Sequence, residues 1–248
     1  MEKEQSLRYS KHILIKDIGE TGQARIQKNR ILVIGCGGLG NTVISLLAGA
    51  GVGHLTIVDD DRIELSNLHR QIHFTSAHIG LLKAEVLAQF IKQKNETVSV
   101  KPILCRLDES ELLQQCFCHD IIVDCSDNYE TRKALSKASV TSRIPMIFGS
   151  VIGTEGHITV FNPQDENSPC YSCIYSTKEN QDEKLTAYGV FSPLVTIIGA
   201  MQAAEVLKHI VGAPHSLVGT LLTYDTSCAQ LYPISLKRNS HCPVCGRS

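Results

Sequence analysis

The chain is 248 residues long, with 24 Lys and Arg against 25 Asp and Glu, a net charge of −1, and 43% hydrophobic residues. That suffices for one large α/β domain with a sizeable core, and the balanced charge gives no nucleic-acid footprint. No apolar run approaches the roughly 20 residues that span a bilayer, since the longest helix-like stretch, Leu194 to Leu207, is interrupted by Gln202 and Glu205.

In chain order, residues 6–13 and 20–28 read as short amphipathic helices. Ile31-Leu32-Val33-Ile34 is an apolar run before a glycine turn, the pattern of a buried parallel strand. The small-residue stretch Gly40 to Gly51 reads as a helix packed closely on the sheet, and Leu55 to Val58 as a second strand ending in Asp59-Asp60-Asp61. A helix over 80–93, strands over Val98 to Ile103 and Asp120 to Asp124, a helix over 129–142 and a strand over Pro145 to Phe148 follow. Strand alternating with helix at this pace predicts a doubly wound, mostly parallel, Rossmann-like sheet.

After Gly149 the pattern changes. Gly156 to Phe161 and Thr220 to Tyr224 alternate like strands of a smaller antiparallel region. Between them Ser192 supplies an N-cap and Pro193 an N1 proline for a helix that is apolar nearly all round and therefore buried. Ile174 to Val190 is polar, aperiodic and long for a connection, which points to a functional or mobile loop. No internal repeat or low-complexity segment interrupts the chain, so 1–248 is read as a single domain with halves 1–149 and 150–248.

The glycine turn is Gly35-Cys36-Gly37-Gly38-Leu39-Gly40. Gly35 permits the turn, Gly37 lets backbone approach a phosphate, and Gly40 allows close helix–sheet packing. Asp59, at the end of the second strand, suits ribose hydroxyls. The motif alone says nucleotide, with NAD the commonest guest. Asn67 and Arg70, within Ser66-Asn67-Leu68-His69-Arg70-Gln71, together with Lys83, suit instead a triphosphate whose charge must be neutralised. Asp127, in Cys125-Ser126-Asp127-Asn128 at a strand end, adds a carboxylate able to hold Mg2+. Taken singly, Arg70 and Lys83 read equally well as solvated charges, and Asp127-Asn128 as a turn or helix cap.

Cysteine usage gives a second site. Cys170-Tyr171-Ser172-Cys173 and Cys242-Pro243-Val244-Cys245 are two-residue-spaced pairs, which together complete a closed, structural zinc shell. The alternative is two unrelated redox or buried pairs. Disulfides fit less well, because Cys36 and Cys125 lie in apolar stretches and Met1 to Gln5 is charged from the start, so no signal peptide is read. A reducing cytoplasmic setting is expected.

The glycine loop, Asp59-Asp60-Asp61, Ser66 to Gln71, Lys83, Cys125 to Asn128 and the two cysteine pairs, in that order, resemble the ThiF/MoeB/HesA family of ubiquitin-activating-like adenylyltransferases. The resemblance spans Arg8-Tyr9-Ser10 to Cys242-Pro243-Val244-Cys245-Gly246. It implies an enzyme that adenylates the C-terminal Gly-Gly carboxylate of a small ubiquitin-like sulfur carrier with ATP. The setting would be molybdopterin or thiamine thiazole synthesis, and a sulfur donor acts afterwards. Residues 1–149 become the nucleotide half and 150–248 the carrier-binding and zinc half. Gly37 and Gly38 line the phosphates, Asp59 holds the ribose, Asn67, Arg70 and Lys83 contact phosphates, and Asp127 binds Mg2+ and is the residue most needed for chemistry. Gly35, Gly40, Asp61, Ser66, Gln71 and Asn128 complete the nucleotide set. Asp127, Arg70 and Lys83 are the expected catalytic group. A homodimer is implied, in which the N-terminal segment reaches the partner's site.

Two positions depart from the family pattern. Where the family carries an N-terminal arginine finger, this chain has Lys11, with Arg8 nearby as a substitute; lysine keeps the charge and loses the planar fork. Where the family has a loop cysteine, alignment on Gly189, Val190 and Pro193 places Leu185, which cannot form a thioester or persulfide. Cys228 is expected in the core. The segment Glu155 to Val160 looks nearer the molybdopterin branch. Competing readings are adenylation of a short peptide, for which the usual extra N-terminal domain has no room here, an NAD-dependent oxidoreductase, and a catalytically silent scaffold.

Overall fold

The structure, a computed structural model, describes residues 3–175, 189–214 and 216–246. Three helices lead in: α1 (Lys3–Arg8), α2 (Ser10–Ile13) and α3 (Gly19–Lys28). The single helix expected over 6–13 is thus two, because buried Tyr9 leaves helical geometry at the junction and docks its hydroxyl on Asn95 (2.9 Å).

Then strands and helices alternate: β1 (Arg30–Ile34), α4 (Gly38–Ala50), β2 (His54–Val58), α5 (Lys83–Lys94), β3 (Ser99–Ile103), α6 (Glu109–Phe117), β4 (Ile121–Asp124), α7 (Tyr129–Ser142) and β5 (Met146–Ile152). These five strands are parallel in the order β3-β2-β1-β4-β5. Helices α3, α4 and α5 cover one face and α6 and α7 the other. Burial on both faces is why Ile31 to Ile34 and Ile121 to Val123 are unbroken apolar runs.

Helix α6 was not expected from the sequence, although a β3–β4 parallel crossover needs one. Its signal is reciprocal capping: Asp108 accepts from the Glu111 amide (2.8 Å) and Glu111 from the Asp108 amide (2.9 Å). Helix α5 begins at Lys83 rather than 80, since Gly80 has φ +88 and Leu82 is extended.

Strand β5 runs four residues past Phe148 and turns into β6 (Glu155–Phe161), which is antiparallel to it; β7 (Thr220–Asp225) and β8 (Gln230–Ser235) extend the sheet antiparallel to eight strands. The edge strand β8, also unanticipated, is exposed along its whole length. Cys228 lies in the exposed β7–β8 turn, not in the core: the turn is tied to Thr154 through Thr226 and leaves the Cys228 thiol at the surface.

A short helix α8 (Tyr171–Ile174) precedes α9 (Ser192–Val211). The N-cap of α9 is Phe191, and Ser192 is the first helical residue with no side-chain cap. By length and composition α9 could cross a membrane, a longer span than the sequence suggested. It buries only one stripe, including Leu194, Ile198 and Val206, against the sheet and α4. Gln202 and Glu205 lie in that stripe with hydrogen-bond partners, as a core helix requires.

Candidate active site

Strands β1, β2 and β4 end at one place, where the sheet order reverses between β1 and β4. A cleft of about 500 Å3 opens there, the position at which doubly wound sheets bind ligands. Its floor is the glycine loop. Gly35 has φ +96, and a Cβ there would lie 2.6 Å from the Cys125 carbonyl oxygen. A Cβ on Gly40 would lie 1.9 Å from the Gly35 carbonyl oxygen, so Gly40 acts by letting α4 close on the strand end and does not itself line the cleft. Gly37 and Gly38 do line it. No side chain caps α4, which leaves its first N–H groups and positive dipole end for an anion.

The carboxylate of Asp59 is spent on backbone. It accepts from the Cys36 amide at 2.6 Å and the Asp61 amide at 2.8 Å, and so shapes the glycine loop. Burial pushes its carboxyl above the usual range, against those amides and the Lys83 charge. Lys83 is buried, with its ammonium 2.7 Å from the exposed Asp61 carboxylate. A pair with one solvated partner is weak, so an arriving phosphate can compete for Lys83.

The Ser66 to Gln71 segment supplies one wall. Asn67 is buried and accepts from the Glu64 amide (3.3 Å). Arg70 is braced by the Ser66 carbonyl oxygen at 2.9 Å. Gln71 is 2% exposed, and its Oε1 has no partner among the described residues. These three line the cleft; Ser66 does not, its hydroxyl turning to Glu64 at 3.1 Å. On the opposite wall Asp127 is exposed to the cleft, and Asn128 caps α7 by accepting from the Thr131 amide (2.9 Å).

Arg8 and Lys11 are exposed and do not line the cleft of their own chain; Arg8 contacts the Lys94 carbonyl oxygen (3.3 Å). Leu185 and most of its loop lie outside the described residues. Sequence reasoning missed Arg106, which reaches Asn128 (3.1 Å) and Thr131 (3.3 Å), and buried Arg132, both at the cleft. The signal for Arg132 is a charge on the apolar face of α7, one turn after Tyr129 and one before Leu135.

Outside the cleft lining, the four knuckle cysteines converge. Sγ separations are 3.8 Å for Cys170–Cys173, 3.6 Å for Cys170–Cys242 and 3.3 Å for Cys173–Cys245, and all four sulfurs lie within 4.8 Å of one another. Tetrahedral zinc with bonds near 2.3 Å places sulfurs about 3.8 Å apart, so the residues fit the ion. The Asn239 amide also points at the Cys173 sulfur (3.5 Å), a donor that suits a thiolate.

Residues 9–244 match the ThiF family model. The chain belongs to the ThiF family. It is 34% identical over 244 residues to the molybdopterin-synthase adenylyltransferase of Escherichia coli, covering 98% of each chain. It is 36% identical over 242 residues to the sulfur carrier protein ThiS adenylyltransferase of the same organism, covering 98% of this chain and 96% of that one. Among solved structures, Escherichia coli MccB with ATP superposes with a TM-score of 0.84 at 26% identity, covering 97% of this chain and 75% of MccB. Within the ThiF family frame, the cleft at the strand ends and the cysteine knuckle are the two sites to explain.

Proposed function

We propose that this protein adenylates the C-terminal carboxylate of a small ubiquitin-like sulfur-carrier protein, using ATP, for molybdopterin or thiamine thiazole synthesis. The observation that carries the reading is the cleft itself. It joins an uncapped helix N-terminus at Gly37 and Gly38, three polar side chains (Asn67, Arg70, Gln71), buried Lys83 and one exposed carboxylate, Asp127. A hydride-transfer site would leave Arg70 and Lys83 idle. Family membership and the names of the relatives at 34–36% identity support the same reaction class.

In this reaction the carrier carboxylate oxygen attacks the α-phosphorus of ATP, the bond to the bridging oxygen of pyrophosphate breaks, and an acyl-adenylate forms. Two anions must meet. Arg70 and Lys83 offset their repulsion, and the α4 N-terminus holds phosphate oxygens in line; positioning and charge stabilisation are nearly all a protein contributes to such a displacement. Asp59 keeps the loop in shape and, by its place at the end of β2, offers its remaining acceptor capacity to ribose. Asp127 would hold Mg2+, a cation that takes one or two carboxylates plus substrate phosphates and supplies charge neutralisation at the phosphates. Cys170, Cys173, Cys242 and Cys245 would fill all four positions of a zinc ion, which would serve a structural role. Residues 1–149 thus form the nucleotide half and 150–248 the carrier half of one domain. We further read the protein as cytoplasmic and as a two-fold homodimer, in which Arg8 and Lys11 approach the partner's cleft, since they stand outside their own.

The likeness to MccB favours one second reading, adenylation of a short peptide. Carrier-dependent pyrophosphate exchange tests both. Exchange with a Gly-Gly carrier, strongly reduced in Asp127→Asn with the fold intact, supports the proposal. Exchange only with a short peptide, or parental exchange in Asp127→Asn, overturns it.

A further inference from the structure

The turn that carries Asp127 is gripped from both faces of the sheet. From the α9 face, fully buried Gln202 donates to the carbonyl oxygens of Asp124 (2.8 Å) and Ile147 (3.4 Å) and accepts from the Cys125 thiol at 3.7 Å. From the α7 face, Arg132 donates through Nη2 to the Ser126 carbonyl oxygen at 2.8 Å. Between them the Asp124 carboxylate, also fully buried, accepts from the amide (3.0 Å) and hydroxyl (2.7 Å) of Ser126. Burial pushes the Asp124 carboxyl up, and the Arg132 charge draws it back.

Arg132 has a second anchor. Its guanidinium lies 5.3 Å from the Phe148 ring centre, and Phe148 packs on Tyr171 with centres 5.4 Å apart. Tyr171 follows the knuckle cysteine Cys170 directly. One planar fork therefore bonds the Asp127 turn and lies over Phe148, which packs on the residue next to the zinc knuckle, a geometry that lysine cannot reproduce.

We propose that Arg132 is a positioning residue that, braced on Phe148, sets the Asp127 carboxylate against the nucleotide. This rests on the reading of Asp127 given above. If Arg132 acts through Asp127, its removal matters only while Asp127 is present. A merely structural role adds to any background.

The test is MgATP affinity by equilibrium dialysis on the full-length, zinc-loaded protein with no carrier present. Arg132→Met alone removes the charge that draws the buried Asp124 carboxyl back down and is a folding risk. Arg132→Lys, and Arg132→Met combined with Asp124→Asn, avoid that. Each should weaken MgATP binding about five- to tenfold in the parent and less than about twofold in Asp127→Asn, with zinc content unchanged. Equal losses in both backgrounds, or none in the parent, overturn the proposal. Failure of the underlying reading looks different: Asp127→Asn then binds MgATP as tightly as the parent does.

Discussion

Gly37 and Gly40 sit in one loop, and the same substitution should do opposite things at the two positions. A methyl on Gly40 would lie 1.9 Å from the carbonyl oxygen of Gly35 and 2.8 Å from its carbon. The obstacle is backbone at the end of β1, so α4 must move off the sheet. Forcing a methyl into packed structure costs about 1–3 kcal/mol and more where the neighbour cannot yield. Backbone cannot yield here, so the upper end, about 3 kcal/mol, applies; at about 2–4 °C per kcal/mol for a chain of this size, Gly40→Ala should lower the unfolding midpoint by roughly 6–12 °C. A methyl on Gly37 meets only Gln71 Nε2, at an ordinary 3.7 Å. Its cost is the lost N-cap preference of glycine over alanine, about 1 kcal/mol or less, hence roughly 2–4 °C. That methyl, however, projects where phosphate is read to lie and should weaken ATP binding by about tenfold or more, equivalent to about 1.4 kcal/mol. Scanning calorimetry with and without ATP, plus ATP titration, separates the two effects. Gly37→Ala that binds ATP like the parent would refute the placement of phosphate on this loop, and Gly40→Ala of parental stability would refute the packing argument.

Other expectations follow from the same structure. Metal analysis of reduced protein should find about one zinc per chain, and chelation should loosen the C-terminal segment before the sheet; absence of zinc sinks the knuckle assignment. His73, His119, His157 and His209 are all held below the ordinary imidazole range by burial. The unfolded chain therefore binds more protons as pH falls through about 6.5, and stability is lost on acidification. The unfolding midpoint should drop between pH 7.5 and 5.5, and His119→Asn should flatten the slope; a midpoint independent of pH contradicts the argument. Sedimentation should give a dimer at micromolar concentration, and deletion of residues 1–12 should impair exchange, whereas full activity without them removes the cross-protomer role of Arg8 and Lys11. With Leu185 read at the loop-cysteine position, intact mass after turnover should show no reducible enzyme–carrier adduct, and an adduct on any cysteine, exposed Cys228 included, would overturn adenylation alone.

Local chemistry was written plainly in the chain. Buried parallel strands must be apolar on both faces, so Ile31 to Ile34 and Ile121 to Val123 announced themselves. A glycine whose Cβ would strike backbone is a property of the position, so Gly35 and Gly40 marked the turn. Cysteine pairs two residues apart already carry the geometry of half a zinc shell. The candidate nucleotide residues were legible because they cluster at strand ends around that turn. What the sequence could not specify is what strands and helices do to each other across the sheet. Strand β8 has no core face to impose a period, and α6 hid in a short, mostly polar stretch marked by its cap and by Leu112 and Cys116 one turn apart. Asp59 proved to serve the glycine loop, Ser66 turned away from the cleft, and Lys83 met Asp61, because each had a backbone or charged neighbour that only the fold supplied. Arg132 and Gln202 look like misplaced polar residues on the buried faces of their helices. Only the tertiary structure reveals their partners, since a buried polar group must be satisfied and these two meet from opposite faces at the one turn that carries Asp127.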